Sequence, residues 1–309
     1  MTKHLLPSSA QSTNHILLVE PATFYANPQT MDSNVYQQQT HESPADIFQK
    51  AQREFFGFQQ MLTQNGVAVT VVRGEENCPD SIFPNWISTH ILDGGNAGIV
   101  KYPMLNENRR LERSERMMNF FARHYQTVLD LSGYEAESLP LEANGSLCLD
   151  RVNNVAYATR SPRTNEAVAQ TWAEETGYAL VLFDTQSHTG KPVYHTDLVM
   201  WIGTGVAAIC AEAIADKAHR QGVLEKLGQT HQVVELSLEQ MKNFCGNALE
   251  VQTLTGEKVL VMSEAAHQAL MPAQKDVFST YFSKLLSSPI PTIEQHGGGS
   301  ARCLMMELF

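Results

Sequence analysis

The sequence predicts an α/β protein in which about five strand–strand–helix–strand units surround a central site. Short apolar runs that are typical of strands alternate with amphipathic helical segments along the 309 residues. This combination recurs at a period of roughly 60 residues, although the units share little sequence identity. Five such units favour a closed ring, in which each unit contributes strands near a central axis. An ordinary open α/β domain is the alternative.

Composition narrows the class of protein. The chain is 43% hydrophobic and 18% charged, as globular proteins are, and its net charge of −11 argues against nucleic-acid binding. Its five cysteines are odd in number and far apart, so neither a disulfide framework nor a zinc site is expected. There is no run of 18 apolar residues and no apolar segment typical of a secretory signal, so we expect no membrane span and a cytoplasmic location. The oligomeric state is left open.

The first unit follows a tail at residues 1–14 that we expect to be loose, and 15–309 are expected to form one domain. A largely apolar run at 15–21 predicts the first strand. Apolar residues at three- and four-residue spacing predict a helix over 45–65. Gly66 ends this helix, and a second strand follows directly.

The remaining units repeat the pattern, with glycine- and proline-containing turns between the apolar runs. The predicted strands lie at 67–72, 79–89, 97–102, 127–131, 178–183, 193–197, 233–236, 248–254 and 258–262, with a turn at 93–95. Hairpins are predicted over 147–159 and through Gly203-Thr204-Gly205. The further helices are predicted at 109–125, 165–175, 214–227 and 264–270. The chain then closes with a glycine-rich segment.

That closing segment reads Gly297-Gly298-Gly299-Ser300-Ala301-Arg302-Cys303. Glycines permit sharp turns and let the backbone lie close to a ligand. We expect Cys303 at the end of a loop, where Arg302 would favour its thiolate, the reactive form of the residue. Cys303 is therefore a candidate nucleophile. A glycine-rich turn before a last strand, with an inert buried cysteine, is the alternative.

Polar side chains open most of the predicted units, and they are Asp80, Asn85, Glu142, Asn144, His195 and Asp197. Polar groups among apolar neighbours are costly unless they are paired or functional. His195 and Asp197 would share one face of a strand. With Cys303 they could attack a carbon held between nitrogens: cysteine attacks, histidine moves protons and carboxylates hold N–H groups. Taken singly, a core histidine, a turn aspartate and a turn-capping glutamate remain alternatives.

In this order and spacing, the segments resemble the guanidino-group-modifying superfamily with the pentein fold, a five-bladed α/β-propeller. Arginine deiminases, dimethylarginine dimethylaminohydrolases and amidinotransferases belong to it. The chain is most similar to its citrulline-utilisation hydrolase branch, the citrulline ureidases. The resemblance runs from Ile16 to Phe309 and rests on the segments 20–24, 79–86, 102–104, 108–112, 141–146, 161–164, 195–197 and 297–303.

The resemblance implies roles for individual residues. Cys303 would be the nucleophile, His195 the general acid/base, and Glu142 a contact to the substrate nitrogens. Asp197 matches the second acid of the family's His-x-Asp motif, and Arg163 resembles an arginine that binds the substrate carboxylate. Further candidates for substrate contact are Asp80, Asn85 and Asn144. Weaker candidates, for which a solvated helix face is the alternative, are Arg109, Arg110 and Arg113. No metal or organic cofactor is called for.

Two departures from the family pattern bear on the substrate, a small ureido or guanidino amino acid. Deiminases have an aspartate near the position of Asn85, and the segment similar to Glu-Gly-Gly reads Glu142-Ala143-Asn144-Gly145. A guanidinium offers donors only, whereas a neutral ureido group also has a carbonyl acceptor that an amide can serve. Asn85 therefore favours hydrolysis of citrulline to ornithine through a covalent Cys303 intermediate. The alternatives are an arginine deiminase, a dimethylarginine hydrolase-like activity, an amidinotransferase and a catalytically silent binding protein.

Overall fold

The computed structural model describes residues 10–92 and 96–309. Residues 1–9 of the expected tail and the predicted turn at 93–95 lie outside this part. The described strands form five separate three-stranded sheets. In each sheet a central strand pairs antiparallel with one neighbour and parallel with the other. The predicted α/β architecture of five repeated units is confirmed, and no described sheet closes into a barrel.

The elements follow the predicted order. The strands are β1 His15–Glu20, β2 Ala68–Arg73, β3 Ile87–Ile91, β4 Ala97–Lys101, β5 Gln126–Asp130, β6 Cys148–Asp150, β7 Val155–Arg160, β8 Ala179–Asp184, β9 Met200–Ile202, β10 Val206–Ile209, β11 Gln232–Glu235, β12 Leu249–Gln252, β13 Lys258–Ser263, β14 Lys284–Ser288 and β15 Met306–Glu307. The α-helices are α1 Pro44–Gln64, α2 Glu107–Arg110, α3 Glu115–Ala122, α4 Ala143–Ser146, α5 Glu166–Thr176, α6 Lys217–Gly228, α7 Leu238–Lys242, α8 Glu264–Ala269, α9 Pro272–Phe278, α10 Pro291–Gly297 and α11 Ala301–Leu304. The 3-10 helices are Ser132–Glu137, Thr196–Leu198 and Ala211–Ala213.

The end of the chain completes the first sheet. β15 pairs antiparallel with β1, which places Ile16 opposite Glu307 and Leu17 opposite Met306. The Thr13 hydroxyl adds a hydrogen bond to the Leu308 carbonyl at 2.6 Å. Cys303 lies just before β15 and is therefore held beside the first unit.

Local sequence explains the best-predicted elements. In α1 the Ser43 hydroxyl accepts from the backbone N–H of Asp46, and Pro44 occupies the first turn, where its missing N–H costs nothing. The spacing of the apolar residues predicts the face that α1 buries, which consists of Ile47, Ala51, Phe55, Phe58 and Leu62. This face packs in a cluster that also contains Cys303 and Leu304. The α1 helix thus supports the segment on which the site depends.

Other predictions were wrong. The strand expected at 79–89 is confined to β3, because proline at 79 and 84 removes backbone donors and the apolar residues there are buried in a turn. The helix expected at 109–125 is two helices, since Ser114 caps a new start at α3. The strand expected at 193–197 instead leads into a 3-10 turn.

The described part of the expected loose tail is packed. Gln11, Ser12 and Thr13 are buried, and the Gln11 amide donates to the Leu149 carbonyl at 2.7 Å. The sequence prediction also lacked β14, α9 and α10. No helix within 10–92 or 96–309 combines the length and the apolarity that a membrane crossing requires.

Candidate active site

The polar residues that precede the first strands of several sheets meet around a small cavity between buried side chains. Of the candidate catalytic and substrate-binding residues, those lining it are Asp80, Asn85, Arg109, Arg163, His195 and Cys303. Glu142 is hydrogen-bonded to His195 and Asp197 to Cys303, but neither carboxylate is in the described lining of the cavity. Asn144 is buried on α4 but is outside the described lining of the cavity. The structure therefore brings most of these side chains together around one cavity.

Cys303 lies on the short helix α11 and is 5% exposed. Its thiol donates to Asp197 Oδ2 at 3.3 Å, and its Sγ accepts from Asn247 Nδ2 at 3.2 Å. Burial, reinforced by the Asp197 carboxylate, raises the pKa of the Cys303 thiol well above its ordinary value. At rest the residue is therefore a thiol rather than a thiolate.

Arg302 does not activate this thiol, contrary to the expectation from sequence. Its guanidinium turns to the end of the chain, where it donates to the Met305 carbonyl at 2.7 Å and to Glu307 Oε2 at 2.9 Å. Neighbours in sequence point their side chains in different directions along a helix, so adjacency to Cys303 did not bring the charge to the sulfur.

His195 and Glu142 form a buried pair. His195 Nε2 lies 2.9 Å from Glu142 Oε2, and Arg163 Nη1 lies 3.6 Å from the same oxygen. The other oxygen, Oε1, accepts from the backbone N–H of Leu105 at 3.1 Å. Burial alone would raise the pKa of Glu142, but Arg163 and the His195 hydrogen bond hold it at about 2. Burial lowers the pKa of His195, although Glu142 opposes this effect.

The backbone that follows Glu142 packs closely against the His195 ring. Gly145 lies against the imidazole, since a Cβ at this position would be 2.4 Å from Nδ1 of His195. Ala143 has a φ of +33°, a region that residues other than glycine rarely occupy. Strain of this kind persists where the surrounding structure holds it, and it is common at functional sites.

Asp80 and Asp197 each keep one carboxylate oxygen free of partners among the described residues. Asp80 Oδ2 accepts from Asn27 Nδ2 at 2.8 Å and from the Thr30 hydroxyl at 3.0 Å, whereas Oδ1 is buried and unpartnered. Asp197 Oδ1 is likewise buried and unpartnered. Asp197 lines a second cavity, which Arg302 and Glu307 also line. Both free oxygens are acceptors available to an N–H donor.

Arg109 belongs to the site, and the solvated-face explanation for it was wrong. It lines the cavity, is 2% exposed and pairs through Nε with Glu112 Oε1 at 2.7 Å. Arg110 and Arg113 instead bond outside the cavity lining: Arg110 donates to the Met104 carbonyl at 2.9 Å, and Arg113 donates to Glu135 at 2.7 Å. The helical spacing of these three arginines does not indicate which of them is buried. Of the three, only Arg109 is buried.

Sequence reasoning also missed residues that shape the cavity. The Tyr194 hydroxyl donates to the Gly298 carbonyl at 2.5 Å, and the Arg163 guanidinium lies over its ring at 4.5 Å. Asn34 Nδ2 donates to the Gly297 carbonyl at 3.0 Å. The position of Tyr194 beside His195 was an available signal, whereas nothing local in the sequence distinguishes Asn34 or Asn247.

The arrangement suits covalent attack on an electrophilic carbon, because a thiol, a histidine and buried arginines face one enclosed space. Five three-stranded sheets around such a site define the pentein superfamily of guanidino-group-modifying proteins, and the chain is a member of it. More narrowly, the chain belongs to the family of eukaryotic N,N-dimethylarginine dimethylhydrolases, whose family model matches residues 20–309. The name of this family describes the hydrolysis of a carbon–nitrogen bond other than a peptide bond in a guanidino compound.

Solved structures share the fold at low sequence identity. The arginine dihydrolase ArgZ from the ornithine–ammonia cycle in cyanobacteria is 18% identical and covers 94% of this chain, with a TM-score of 0.71. Unliganded AgrE is 17% identical over 96% of this chain, with a TM-score of 0.73. This chain spans 40% of that ArgZ chain and 39% of that AgrE chain.

A dimethylarginine dimethylaminohydrolase variant, solved as an adduct with S-methyl-L-thiocitrulline, matches over nearly its whole length. It is 14% identical, the alignment covers 95% of this chain and 99% of that one, and the TM-score is 0.62. No curated protein sequence matches this chain. At these identities the structural likeness establishes the fold, and the substrate has to be argued from the site.

Proposed function

We propose that this protein hydrolyses a free amino acid with a terminal ureido or guanidino group, and that the leading reaction is citrulline to ornithine. The observation that carries the proposal is the convergence of Cys303 and the His195–Glu142 pair on one cavity with two buried arginines. Relatives of the same fold were solved with arginine, with ornithine and with a thiocitrulline adduct. These ligands support a small amino acid as the substrate.

The charges of the cavity fit the two ends of such a molecule. Arg109 and Arg163 are the cations available to the α-carboxylate, which arginine binds well. The free Oδ1 of Asp80 is the acceptor available to the α-ammonium group. The side chain of the substrate would then extend towards Cys303. Near that end Asn85 supplies a neutral amide, which can donate to a ureido carbonyl.

The reaction starts from a resting site in which His195 is neutral and Cys303 is a thiol. Neutral His195 takes the proton of the Cys303 thiol, and the sulfur attacks the ureido carbon. The bond from this carbon to the chain nitrogen breaks as His195 returns the proton to that nitrogen, which releases ornithine. Water then attacks the carbamoyl thioester while His195 accepts its proton and passes it to the departing sulfur. Carbamate leaves and decomposes to ammonia and carbon dioxide. Glu142 stabilises the protonated imidazole.

A guanidino substrate is the second candidate, and specific observations favour it. The family match is to dimethylarginine hydrolases, and the free oxygen of Asp80, which lines the cavity, suits a group that offers only N–H donors. The same attack on the guanidinium carbon of arginine would expel ammonia first and give citrulline. From dimethylarginine it would expel dimethylamine and give citrulline.

The proposal also covers the domain organisation and the location of the protein. The closure of β15 on β1 supports a single domain over 15–309. The five cysteines are free, which suits a reducing, cytoplasmic setting.

The test is to incubate purified protein separately with citrulline, arginine and dimethylarginine, and to quantify ornithine, citrulline, ammonia and dimethylamine. Cys303→Ala is compared with Cys245→Ala, because Cys245 is a buried cysteine outside the cavity lining. Ornithine from citrulline that is lost in C303A and kept in C245A supports the leading proposal. Citrulline formed from a guanidino substrate would replace it with the second candidate. An unaltered C303A would refute both, and no turnover of any substrate would favour a binding protein or an amidinotransferase.

A further inference from the structure

The sheet formed by β12, β13 and β14 contributes Asn247 to the site. Like the site residues of other sheets, Asn247 lies just before the first strand of its sheet. Asn85 stands two residues before β3, and Cys303 stands three residues before β15. Asn247 stands two residues before β12, the first strand of the fifth sheet, and is 0% exposed. Nothing local in the sequence indicates Asn247, because its side-chain partners Asp197 and Cys303 lie 50 and 56 positions away along the chain.

The hydrogen bonds of Asn247 determine which way its amide faces. Its Oδ1 lies 3.0 Å from the backbone N of Arg302 and 3.4 Å from that of Cys303, and both are donors. An oxygen must therefore face α11, and the NH2 group must face the other way. Nδ2 donates to the Asp197 carbonyl at 2.9 Å and to Cys303 Sγ at 3.2 Å. One side chain thus anchors the backbone of the cysteine and presents an N–H to its sulfur.

The turn that carries Asn247 is held in an unfavourable conformation. Phe244 has a φ of +60°, which residues with large side chains rarely adopt. Gly246 lies against the Asp197 turn, since a Cβ there would be 2.2 Å from the Leu198 carbonyl oxygen. Backbone strain persists where the structure over-determines it and is frequent at functional sites. The strained backbone at Phe244 and the close packing of Gly246 together place the Asn247 side chain beside the sulfur of Cys303.

We propose that Asn247 is the residue that positions Cys303 and stabilises its thiolate by donating a hydrogen bond to the sulfur. This inference rests on the proposed role of Cys303 as nucleophile. When the thiol loses its proton, the hydrogen bond to Asp197 is lost and the Asp197 carboxylate repels the sulfur. The Asn247 N–H becomes a charge-assisted bond at this moment, and such bonds are roughly twice as strong as neutral ones. The Asn247 N–H therefore offsets part of the repulsion between the Cys303 thiolate and the Asp197 carboxylate.

Other ionisable groups also act on the sulfur and have to be held constant. Asp197 and Tyr194 interact electrostatically with Cys303, and across the cavity lie His195, Arg163, Arg109 and Asp80. The experiment changes Asn247 alone and leaves all of these in place. It compares Asn247→Asp, Asn247→Ala and Asn243→Asp. Asn243 is the matched control, because it is a half-buried asparagine whose amide bonds the Glu239 carbonyl, away from the cavity.

Asn247→Ala is the deciding variant, because it removes the N–H without adding a charge. Asn247→Asp still accepts from the backbone of α11, but it replaces the N–H with a carboxylate that would itself repel the thiolate. The readout is the rate of Cys303 alkylation by iodoacetamide between pH 6 and 10, resolved by peptide mass spectrometry, together with kcat/KM and thermal melting. We expect alkylation at pH 8 to slow roughly tenfold or more in both Asn247 variants, since one unit of pKa changes the thiolate fraction tenfold. N243D should match the wild type.

The outcomes distinguish this inference from the proposed function. Wild-type alkylation rates and pH midpoints in both Asn247 variants would overturn the role of Asn247 and leave the Cys303 nucleophile intact. Slower turnover with unchanged alkylation would show a structural role only and would also overturn it. Turnover by Cys303→Ala at the wild-type rate would contradict the nucleophile itself. A slower, upward-shifted alkylation profile in both Asn247 variants, the uncharged N247A included, with a nearly unchanged melting temperature is the result that the structure predicts.

Discussion

Replacing Glu142 by glutamine removes a buried negative charge and keeps the shape of the side chain. Glutamine carries one oxygen and one NH2 group in place of two oxygens. Oε1 of Glu142 accepts from Leu105 N–H, and Oε2 faces Arg163 and His195. Whichever way glutamine turns, one of these donors loses its acceptor, and Arg163 loses its counter-charge. The variant therefore tests whether this charge holds the histidine in its working state.

The magnitude comes from the pKa of Glu142. A fall from 4.5 to about 2 corresponds to about 3 kcal/mol of interaction that favours the ionised carboxylate. This agrees with the 3–5 kcal/mol that is typical when one member of a buried pair is removed. We expect the melting temperature to fall by several degrees. General acid–base catalysis contributes about 10² to 10⁴ in rate, so kcat/KM should fall within that range.

The assay measures kcat/KM and thermal melting for the Glu142→Gln and Glu250→Gln variants. Glu250 is the matched control, because it is buried, accepts hydrogen bonds from Ser12 and Thr204, and is outside the cavity lining. E250Q should lose stability but keep its activity per folded molecule. Activity of E142Q within threefold of the wild type at a temperature where both are folded would refute the reasoning about His195.

Three further predictions follow from the same contacts. Gly145→Ala should reduce kcat at least tenfold, because the new Cβ would displace the His195 ring; equal activity would contradict the close packing. Asn85→Asp should lower the ratio of kcat/KM for citrulline over arginine, since a carboxylate suits a cation; an unchanged ratio in competition assays would remove Asn85 from substrate selection. Glu142 has a depressed pKa, so its stabilising contribution is present above its unfolded pKa of about 4.5 and is lost as pH falls towards 2. E142Q should therefore flatten the acid limb of melting temperature against pH, and parallel curves would contradict this.

Much of the fold could be predicted from sequence because it depends on local pattern. The apolar spacing predicts α1 and the face that it buries, and alternating short strands predict the five units. The apolar residues of 79–86 predict part of a strand over 79–89, but in the structure they are buried in a turn, and apolar character alone does not distinguish the two. The first sheet could not be completed from sequence, since β15 pairs with β1 from the opposite end of the chain.

The site was predictable where polar residues interrupt apolar segments, as His195 and Glu142 do. It was not predictable where a residue depends on distant partners. Asn247 contacts Cys303, 56 positions further along the chain, and nothing in its own neighbourhood indicates this. The charge on Arg302 was assigned to the wrong partner for the same reason, since Glu307 and the Met305 carbonyl bind it.

The most direct test of the central claim is to trap the covalent intermediate. Wild-type protein is mixed with citrulline, quenched in acid within the first turnover, digested and analysed by peptide mass spectrometry, with C303A and H195A in parallel. We expect a carbamoyl group on the peptide that contains Cys303, absent from C303A and scarce in H195A, in which the leaving amine lacks its proton donor. Ornithine formed in the wild type with no adduct on that peptide at any time, or formed equally by C303A, would contradict covalent catalysis by Cys303.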